Sequence, residues 1–260
     1  MSELILRELN DGILRLTLND PGTRNSLSQM MIEQLQTAMS SADARVIILA
    51  AHGPAFSSGH NLKEITVHRT DADKGLGFFK GLFDACAELM LTIMNHPCPV
   101  IAEIDGTASA AGCQLVASCD LAIATDRSSF CTPGVNIGLF CSTPMVAVSR
   151  TVTRKHAMEM LLTGDVISAA EALRMGLINR VTTHNELKTV TQELAQKIAT
   201  KSGTALKIGK QAFNPQLEMP VEEAYAYMAQ IMATNLFETD AREGIEAFIQ
   251  KRKPKWERDL

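Results

Sequence analysis

Two segments rich in small residues follow apolar runs, a pattern typical of turns that expose backbone N–H groups to a negatively charged oxygen. The first is the 106–114 segment, GTASAAGCQ, which comes after the apolar run 100–104. The second is the 55–64 segment, AFSSGHNLKE, which comes after the apolar run 46–50. Each pattern predicts a buried strand, a tight turn and a helix start without bulky side chains. Backbone N–H groups at a helix start have no helical partner, so they can bind a negatively charged oxygen.

Two turns of this kind that face one oxygen form an oxyanion hole, which stabilises an enolate or a tetrahedral intermediate. The alternative for the 106–114 segment is a helix that packs closely on a sheet, because runs of Gly and Ala also serve close packing. The second segment favours the chemical interpretation. The sequence therefore predicts a site at which two backbone amides polarise a carbonyl group.

The elements that position these turns alternate between strands and helices in the first half of the chain. The pattern predicts a hairpin over 4–18 with its turn at 10–12, and a helix that ends near Ser40 with Met30, Ile32, Leu35 and Met39 facing inward. Further strands are predicted at 45–51, 99–104 and 121–125, and a long helix at 78–94. These units imply right-handed crossovers on a largely parallel sheet. Beyond residue 142 the pattern is mostly helical, with predicted helices at 143–151, 154–162, 168–174, 184–200, 203–212, 220–237 and 240–250, and a short strand at 178–182.

Composition narrows the classes of function. With 260 residues, 46% of them hydrophobic, the chain can bury a large core as one domain. A net charge of −4 argues against broad nucleic-acid binding, and no apolar run reaches the roughly 18 residues of a membrane span. Six cysteines without a CxxC pair are typical of reduced thiols. Together with the strand-like pattern that begins at Leu4, where no secretory signal is visible, they predict a cytoplasmic protein.

Several known motifs are missing from the sequence. It has no GxxxxGK[ST] phosphate-binding loop and no GxSxG nucleophile turn. The histidines do not have metal-ligand spacing with acidic or cysteine partners. We therefore predict neither a metal ion nor a redox cofactor.

Four motifs, in the right order, carry a resemblance to a known family. Besides the two turns, the chain contains RNSL at 24–27 and LTGDVISAAEA at 162–172. Together they closely resemble the enoyl-CoA hydratase/isomerase (crotonase) superfamily, from about Leu4 to Trp256. The resemblance implies an α/β fold, a crotonase-like spiral of stacked β-β-α turns with a helical C-terminal region that drives assembly into a homotrimer or a dimer of trimers. On this basis we divide the chain into a spiral core, 1–195, and a helical C-terminal region, 196–260.

The resemblance also implies roles for individual residues. The oxyanion donors would be the backbone N–H groups of His60 and Ala111, acting on the thioester carbonyl of an acyl-CoA. The coenzyme A thioester is then the substrate, and no separate cofactor is implied. Positions that resemble substrate or coenzyme A contacts of the family are Arg24, Ser26, Ser58, Gly59, Asn61, Leu62, Phe248 and Lys251, the last two often reaching a neighbouring subunit. On local grounds Arg24 is also consistent with an exposed arginine after a turn, and Lys251 with a basic helix end.

The sequence departs from the family at two positions where the family has an acidic residue. Hydratases that it resembles hold and activate water with two glutamates. Gln114 stands at the first glutamate position and Gly134 at the second. An amide does not exchange a proton near neutral pH, and glycine has no side chain. Two-glutamate hydration is therefore predicted to be weak or absent.

Three explanations for this loss remain open. Another group can serve as the base, and His60, Glu64 and Glu103 are the candidates, although both glutamates also fit structural roles on a helix and a strand. Alternatively, thioester hydrolysis or decarboxylation needs mainly the oxyanion hole. The third possibility is a protein that binds acyl-CoA without turnover. The variant motifs at 110–114 and 132–136 most resemble the enoyl-CoA hydratase domain-containing subgroup.

Overall fold

The structure is a computed structural model that describes residues 3–40 and 44–257. Its strands are β1 Ile5–Asn10, β2 Ile13–Leu18, β3 Val46–Ala51, β4 Ala55–Ser57, β5 Val100–Ile104, β6 Thr107–Ser109, β7 Leu121–Thr125, β8 Ser129–Cys131, β9 Ile167–Ser168 and β10 Arg180–Thr182. Its helices are α1 Gln29–Ser40, α2 Leu62–His68, α3 Leu76–Asn95, α4 Ala111–Ser118, α5 Ser142–Thr151, α6 Arg154–Thr163, α7 Ala169–Met175, α8 Leu187–Ala199, α9 Gly203–Leu217, α10 Val221–Asn235 and α11 Thr239–Ile249.

The first sheet has six strands in the order β1-β2-β3-β5-β7-β10. β1 and β2 form the hairpin that the sequence predicts, joined by Asp11 and Gly12 at φ angles of 52° and 76°. Two positive φ angles are typical of the tight hairpin turn whose twist matches that of the strands. The remaining neighbours in this sheet pair in parallel, which confirms the predicted parallel core.

The second sheet consists of four strands of two or three residues, in the order β4-β6-β8-β9. Sequence analysis did not predict these strands, because two or three residues are too few to show a period of two. β4, β6 and β8 each follow a strand of the first sheet within a few residues, and they pair in parallel with one another. Each such strand pair leads into helical structure, so the chain repeats β-β-α units. This arrangement confirms the predicted spiral.

The main core lies between the first sheet and helices α1, α3 and α4. One predicted core residue is wrong: Met30 is 44% exposed, whereas Met31 is fully buried. The reason is helical spacing, since Met31, Leu35 and Met39 recur every four residues and therefore share one face. Met30 lies on a different face of α1.

The C-terminal helices contribute less to this core. Helix α8 packs on β3 and β5, and the predicted boundary at 195 lies inside it. Helix α9 continues to Leu217, past the predicted end at residue 212. Helix α10 has no buried residue among the described part of the chain. None of the described helices combines the length and the apolar character needed to cross a bilayer.

Candidate active site

The first small-residue turn follows β4 and is held by the 24–27 segment. The Ser58 N–H donates to the Arg24 carbonyl over 3.0 Å, and the Leu27 N–H donates to the Gly59 carbonyl over 2.8 Å. Gly59 has a φ of 82°, a conformation that glycine adopts without strain. The chain therefore leaves β4, turns at Gly59 and presents His60 just before α2 begins.

Asn25 is the residue that organises this turn, and sequence analysis did not assign it a role. Its fully buried side chain donates to the His52 and Ala55 carbonyls, over 2.8 Å each, and accepts from the Asp20 N–H. Its φ is 52°, in the left-handed region that Asn tolerates better than most residues. The signal available in the sequence was the residue type, because Asn commonly bonds to neighbouring backbone in turns.

The second turn joins β6 to α4 through Ala110. Ala110 has a φ of 50° and a ψ of −115°, a region that non-glycine residues rarely occupy. Its N–H donates to the Cys131 carbonyl over 2.9 Å, and its carbonyl accepts from the Gln114 N–H over 3.0 Å. Such a conformation costs about 1–3 kcal/mol and persists only where the surroundings enforce it. The result is that Ala111 starts α4 directly beside the first turn.

The two turns are in direct contact. A Cβ atom at Gly59 would lie 2.9 Å from the Ser109 carbonyl oxygen and 3.2 Å from the Ala111 nitrogen. A Cβ atom at Gly112 would lie 2.3 Å from the Ser57 carbonyl oxygen. Within the described ranges, the backbone N–H groups of His60 and Ala111 donate to no protein acceptor. The structure thus brings together the two segments that the sequence singled out.

Each of two polar side chains at these turns has one buried atom without a hydrogen-bond partner in the described chain. His60 Nδ1 lies 3.1 Å from the Leu27 carbonyl oxygen, and its ring meets Phe83 edge to face with centroids 5.1 Å apart. Burial lowers the pKa of His60, opposed in part by the bond to Leu27. His60 Nε2 and Gln114 Oε1 are buried and have no hydrogen-bond partner in the described chain. Buried unpaired polar atoms are rare in folded proteins and often mark a ligand or water position.

Some of the predicted coenzyme A contacts share a cavity of about 380 Å³. It is lined by Arg24, Pro54, Ala55, Ser58, Thr107 and Ser109. Arg24 is exposed there and has a φ of 57°. The predicted residues Arg24 and Ser58 therefore line the same cavity, which reaches Ser109, the residue before the strained turn at Ala110.

Three other predicted contacts have identified structural surroundings. Ser26 is buried, and its Oγ is 3.0 Å from the Thr23 Oγ1. Asn61 caps α2, because its side-chain oxygen accepts from the N–H groups of Lys63 and Glu64. Leu62 is 51% exposed at the first position of that helix.

Phe248 and Lys251 lie at the end of α11 and do not line this cavity. The Phe248 side chain is 85% exposed. A single chain therefore does not place these two residues with Arg24 and Ser58.

The structure leaves little space for a side chain at Gly134, the residue that the resemblance aligns with the second glutamate. A Cβ atom at Gly134 would lie 2.9 Å from the Leu139 carbonyl oxygen and 3.0 Å from the Cys141 sulfur. The Leu139 N–H also donates to the Gly134 carbonyl, so this short loop is fixed at both ends. Burial raises the pKa of the Cys141 thiol, which keeps it protonated near neutral pH.

The two alternative acids have structural partners. Glu103 forms a buried ion pair with Arg15, with both carboxylate oxygens bonded to the guanidinium group. Glu64 accepts a hydrogen bond from the Gln29 N–H. Of the three bases considered from the sequence, only His60 has an unpaired buried atom beside the turns.

A larger cavity of about 850 Å³ lies at the opposite end of α4, between α3, α5 and α9. Lys210 borders it and donates to Asp120 and to two backbone carbonyls. None of the predicted site residues lines this cavity.

The comparisons with known proteins agree with this architecture. The family model described as enoyl-CoA hydratase/isomerase matches residues 8–259, so the chain belongs to that family. A solved enoyl-CoA hydratase from Mycobacterium smegmatis is 43% identical, with a TM-score of 0.93, covering 98% of this chain and 99% of that one.

Within the family, the comparisons support the predicted enoyl-CoA hydratase domain-containing subgroup, because similar relatives are named enoyl-CoA hydratase domain-containing protein 3. The mouse protein of that name is 50% identical over 250 residues, which cover 95% of this chain and 82% of the relative. The human structure of that name is 47% identical with a TM-score of 0.91, covering 98% of this chain and all of that one.

The predicted cytoplasmic location is wrong on this comparison. Five relatives, from mouse, rat, human, Xenopus laevis and Danio rerio, are named as mitochondrial proteins. Free cysteines distinguish a reducing from an oxidising environment, but they do not distinguish one reducing compartment from another.

Proposed function

We propose that this protein binds an acyl-CoA thioester and polarises its carbonyl with the backbone N–H groups of His60 and Ala111. The observation that supports this proposal is the direct contact of the two turns, with both N–H groups left without a protein acceptor. Such fixed donors stabilise negative charge that develops on a carbonyl oxygen. The first turn of α4 adds the positive end of its helix dipole.

We further propose that the coenzyme A portion lies in the cavity beside Arg24 and Ser58. The exposed Arg24 supplies a positive charge for a phosphate group. Phe248 and Lys251 would complete the site from a neighbouring subunit, since they do not line this cavity in their own chain. The segment from α9 to α11 carries exposed apolar side chains, which supports burial between subunits of a homotrimer or a dimer of trimers. They are Phe213, Leu217, Val221, Tyr225, Met232, Leu236, Phe237, Ile245, Phe248 and Ile249. The names of the relatives support a mitochondrial location.

Two-glutamate hydration is expected to be weak or absent in this protein. Gln114 cannot take up a proton near neutral pH. Gly134 offers no side chain, and the loop from Leu139 to Cys141 occupies the space that one would need. The same observation favours a second candidate, a protein that binds acyl-CoA without turnover. Thioester hydrolysis or decarboxylation on this scaffold is the remaining alternative.

Carbonyl polarisation can be tested without any substitution. We expect a butyryl-CoA thioester to bind about tenfold more tightly than the matching S-butyl-CoA thioether, which has no carbonyl oxygen. Infrared spectra of the bound thioester, labelled with ¹³C at the carbonyl, should show the stretch at lower frequency than in water. Equal affinities and an unshifted carbonyl band would contradict the proposal.

Turnover is tested by a substrate panel. Enoyl-, malonyl- and hydroxyacyl-CoA mixtures are incubated with the protein and followed by mass spectrometry. New products exclude the binding-only alternative, and their masses distinguish hydration from hydrolysis and decarboxylation. Light scattering tests the assembly, and a stable monomer at micromolar concentration would contradict the proposed trimer.

A further inference from the structure

His60 and Gln114, the residues that carry the unpaired atoms, belong to the two turns that are in contact. Gly59, which precedes His60, is in contact with the Ala111 nitrogen, and Gln114 lies three residues after Ala111 in the first turn of α4. Residues three apart share one face of a helix. His60 and Gln114 are therefore each within three residues, along the chain, of a backbone N–H group to which we assign the thioester carbonyl.

The tautomer of His60 follows from its one hydrogen bond. Because a backbone carbonyl can only accept, Nδ1 must carry the hydrogen that it donates to Leu27. The lone pair of the neutral ring is then on Nε2, the atom that is buried without a partner. Gln114 is 4% exposed, and its carbonyl oxygen is the second unpaired acceptor. Two acceptors match the two hydrogens of one water molecule.

We propose that His60 is the base of a water-dependent reaction, in which Nε2 takes a proton from a water molecule that Gln114 Oε1 also holds. This inference rests on the proposed function, because it places the acyl end of the thioester beside these two atoms. The substrate class is a 2-enoyl-CoA, with the 3-hydroxyacyl-CoA as its hydrated form. The oxygen held by the pair is the water on one side of the equilibrium and the product hydroxyl on the other.

The reaction balances with one proton carrier. The water oxygen forms a bond to Cβ of the enoyl group while one of its protons passes to His60 Nε2. The electron pair of the carbon–carbon double bond moves to form an enolate, whose oxygen accepts from the two backbone N–H groups. The imidazolium then returns the proton to Cα, which gives the 3-hydroxyacyl thioester and neutral His60. Gln114 orients the water and exchanges no proton.

The surroundings of His60 keep it in the basic form. Burial is the main cause of its lowered pKa, and the Leu27 carbonyl partly opposes it. The carboxylates on the adjoining segments have other surroundings. Glu64 accepts a hydrogen bond from the Gln29 N–H, and Asp84 on α3, next to Phe83, is exposed. Since the pKa is lowered, the ring is neutral at pH 7 and becomes protonated only at more acidic pH. Activity is therefore expected on the neutral side and should fall as pH drops through that pKa.

The test compares the wild type with His60→Asn. Asparagine retains an N–H that can donate to Leu27, keeps the backbone N–H and removes Nε2. Interconversion of crotonyl-CoA and 3-hydroxybutyryl-CoA is followed by mass spectrometry in H₂¹⁸O, across a range of pH. We expect the wild type to incorporate one ¹⁸O at Cβ and to lose activity at acidic pH. His60→Asn should lower kcat about 100-fold or more, leave KM unchanged and remove the acidic limb.

Three controls separate this role from a structural one. His184→Gln replaces an exposed histidine that pairs with Asp105, and its kinetics should match the wild type. Gln114→Leu should lower kcat about tenfold while the acidic limb remains. Thermal melting and butyryl-CoA affinity establish that each variant is folded and binds, and His60→Gln provides a second base-free variant.

The possible outcomes distinguish the role of His60 as a base from the proposed binding of acyl-CoA. Unchanged kcat and pH profile in folded His60→Asn and His60→Gln would overturn the role of His60. A wild type that binds butyryl-CoA but forms no hydrated product, or shows no acidic limb, overturns this inference and leaves the proposed function standing. Failure of the wild type to bind any acyl-CoA would instead remove the proposed function itself.

Discussion

The turn after β6 and the 133–141 segment after β8 follow neighbouring strands, since β6 pairs with β8. The two regions differ in which of the predicted chemical groups they contain. At the turns, glycines stand where backbone approaches backbone, and Ala110 adopts the unusual conformation between β6 and α4. At 133–141 the acid is absent, and the loop backbone lies against Gly134. Polarisation by backbone N–H groups tolerates changes of side chain, whereas proton transfer by a carboxylate is lost with one replacement. The proposed function combines these two features, thioester binding at the turns and weak or absent two-glutamate hydration.

The strongest test of the turns is Gly112→Ala. The new Cβ would lie 2.3 Å from the Ser57 carbonyl oxygen, so backbone on both sides must move. We expect the free energy of unfolding to fall by about 3 kcal/mol, with loss of thioester binding. Urea denaturation measures the change. Gly209→Ala on α9 is the control, because nothing lies within 4 Å of its Cβ position and helix propensity favours Ala by up to about 1 kcal/mol.

The second test asks whether the acids can simply be restored. Gln114→Glu alone should leave the protein folded, whereas adding Gly134→Glu should cost about 2 kcal/mol, because its Cβ meets the Leu139 carbonyl oxygen at 2.9 Å. We expect the double variant to remain well below ordinary hydratases in crotonyl-CoA hydration. A stable double variant with their activity would show that the 133–141 segment is not closed.

The third test concerns the thiol in that segment. Burial raises the pKa of Cys141, so the thiolate fraction at pH 7.5 is small. We expect iodoacetamide to alkylate Cys141 at least tenfold more slowly in the native protein than in the urea-unfolded chain, as measured by peptide mass spectrometry. A native rate equal to the unfolded one would mean that the segment opens readily.

The smallest effect is expected at the exposed edge of the cavity. Arg24→Ala should weaken coenzyme A thioester binding about fivefold, or roughly 1 kcal/mol, because an exposed charge pair is screened by water. The difference should shrink at high salt. Arg154→Ala, at the exposed start of α6, is the matched control and should bind as the wild type does. An equal loss in both variants would mean that net charge, rather than Arg24, is responsible.

Much of the fold could be predicted because its elements are long and periodic. The hairpin, α1, α3 and the first-sheet strands other than β10 each have five or more residues, enough to give a recognisable apolar pattern, and the C-terminal helices do as well. The second sheet could not be predicted on that basis, since β4, β6, β8 and β9 are two or three residues long. Their pairing depends on partners far away in sequence. At the scale of one helix, Ile32, Leu35 and Met39 were predicted correctly, and only Met30 was named in place of its buried neighbour Met31.

The candidate site shows the same difference between what sequence predicts and what depends on tertiary contacts. The sequence by itself determined the residue types: the small residues of the two turns, the missing acids at Gln114 and Gly134, and the histidine at position 60. Only the tertiary structure decided that Gly59 contacts Ala111, that the loop closes over Gly134 and that His60 Nε2 is unpaired. These features depend on contacts between separate segments, such as the 57–59 and 109–112 segments, and the packing of the two sheets and α4 sets them. Local sequence fixes what each residue can do, and packing fixes which residues meet.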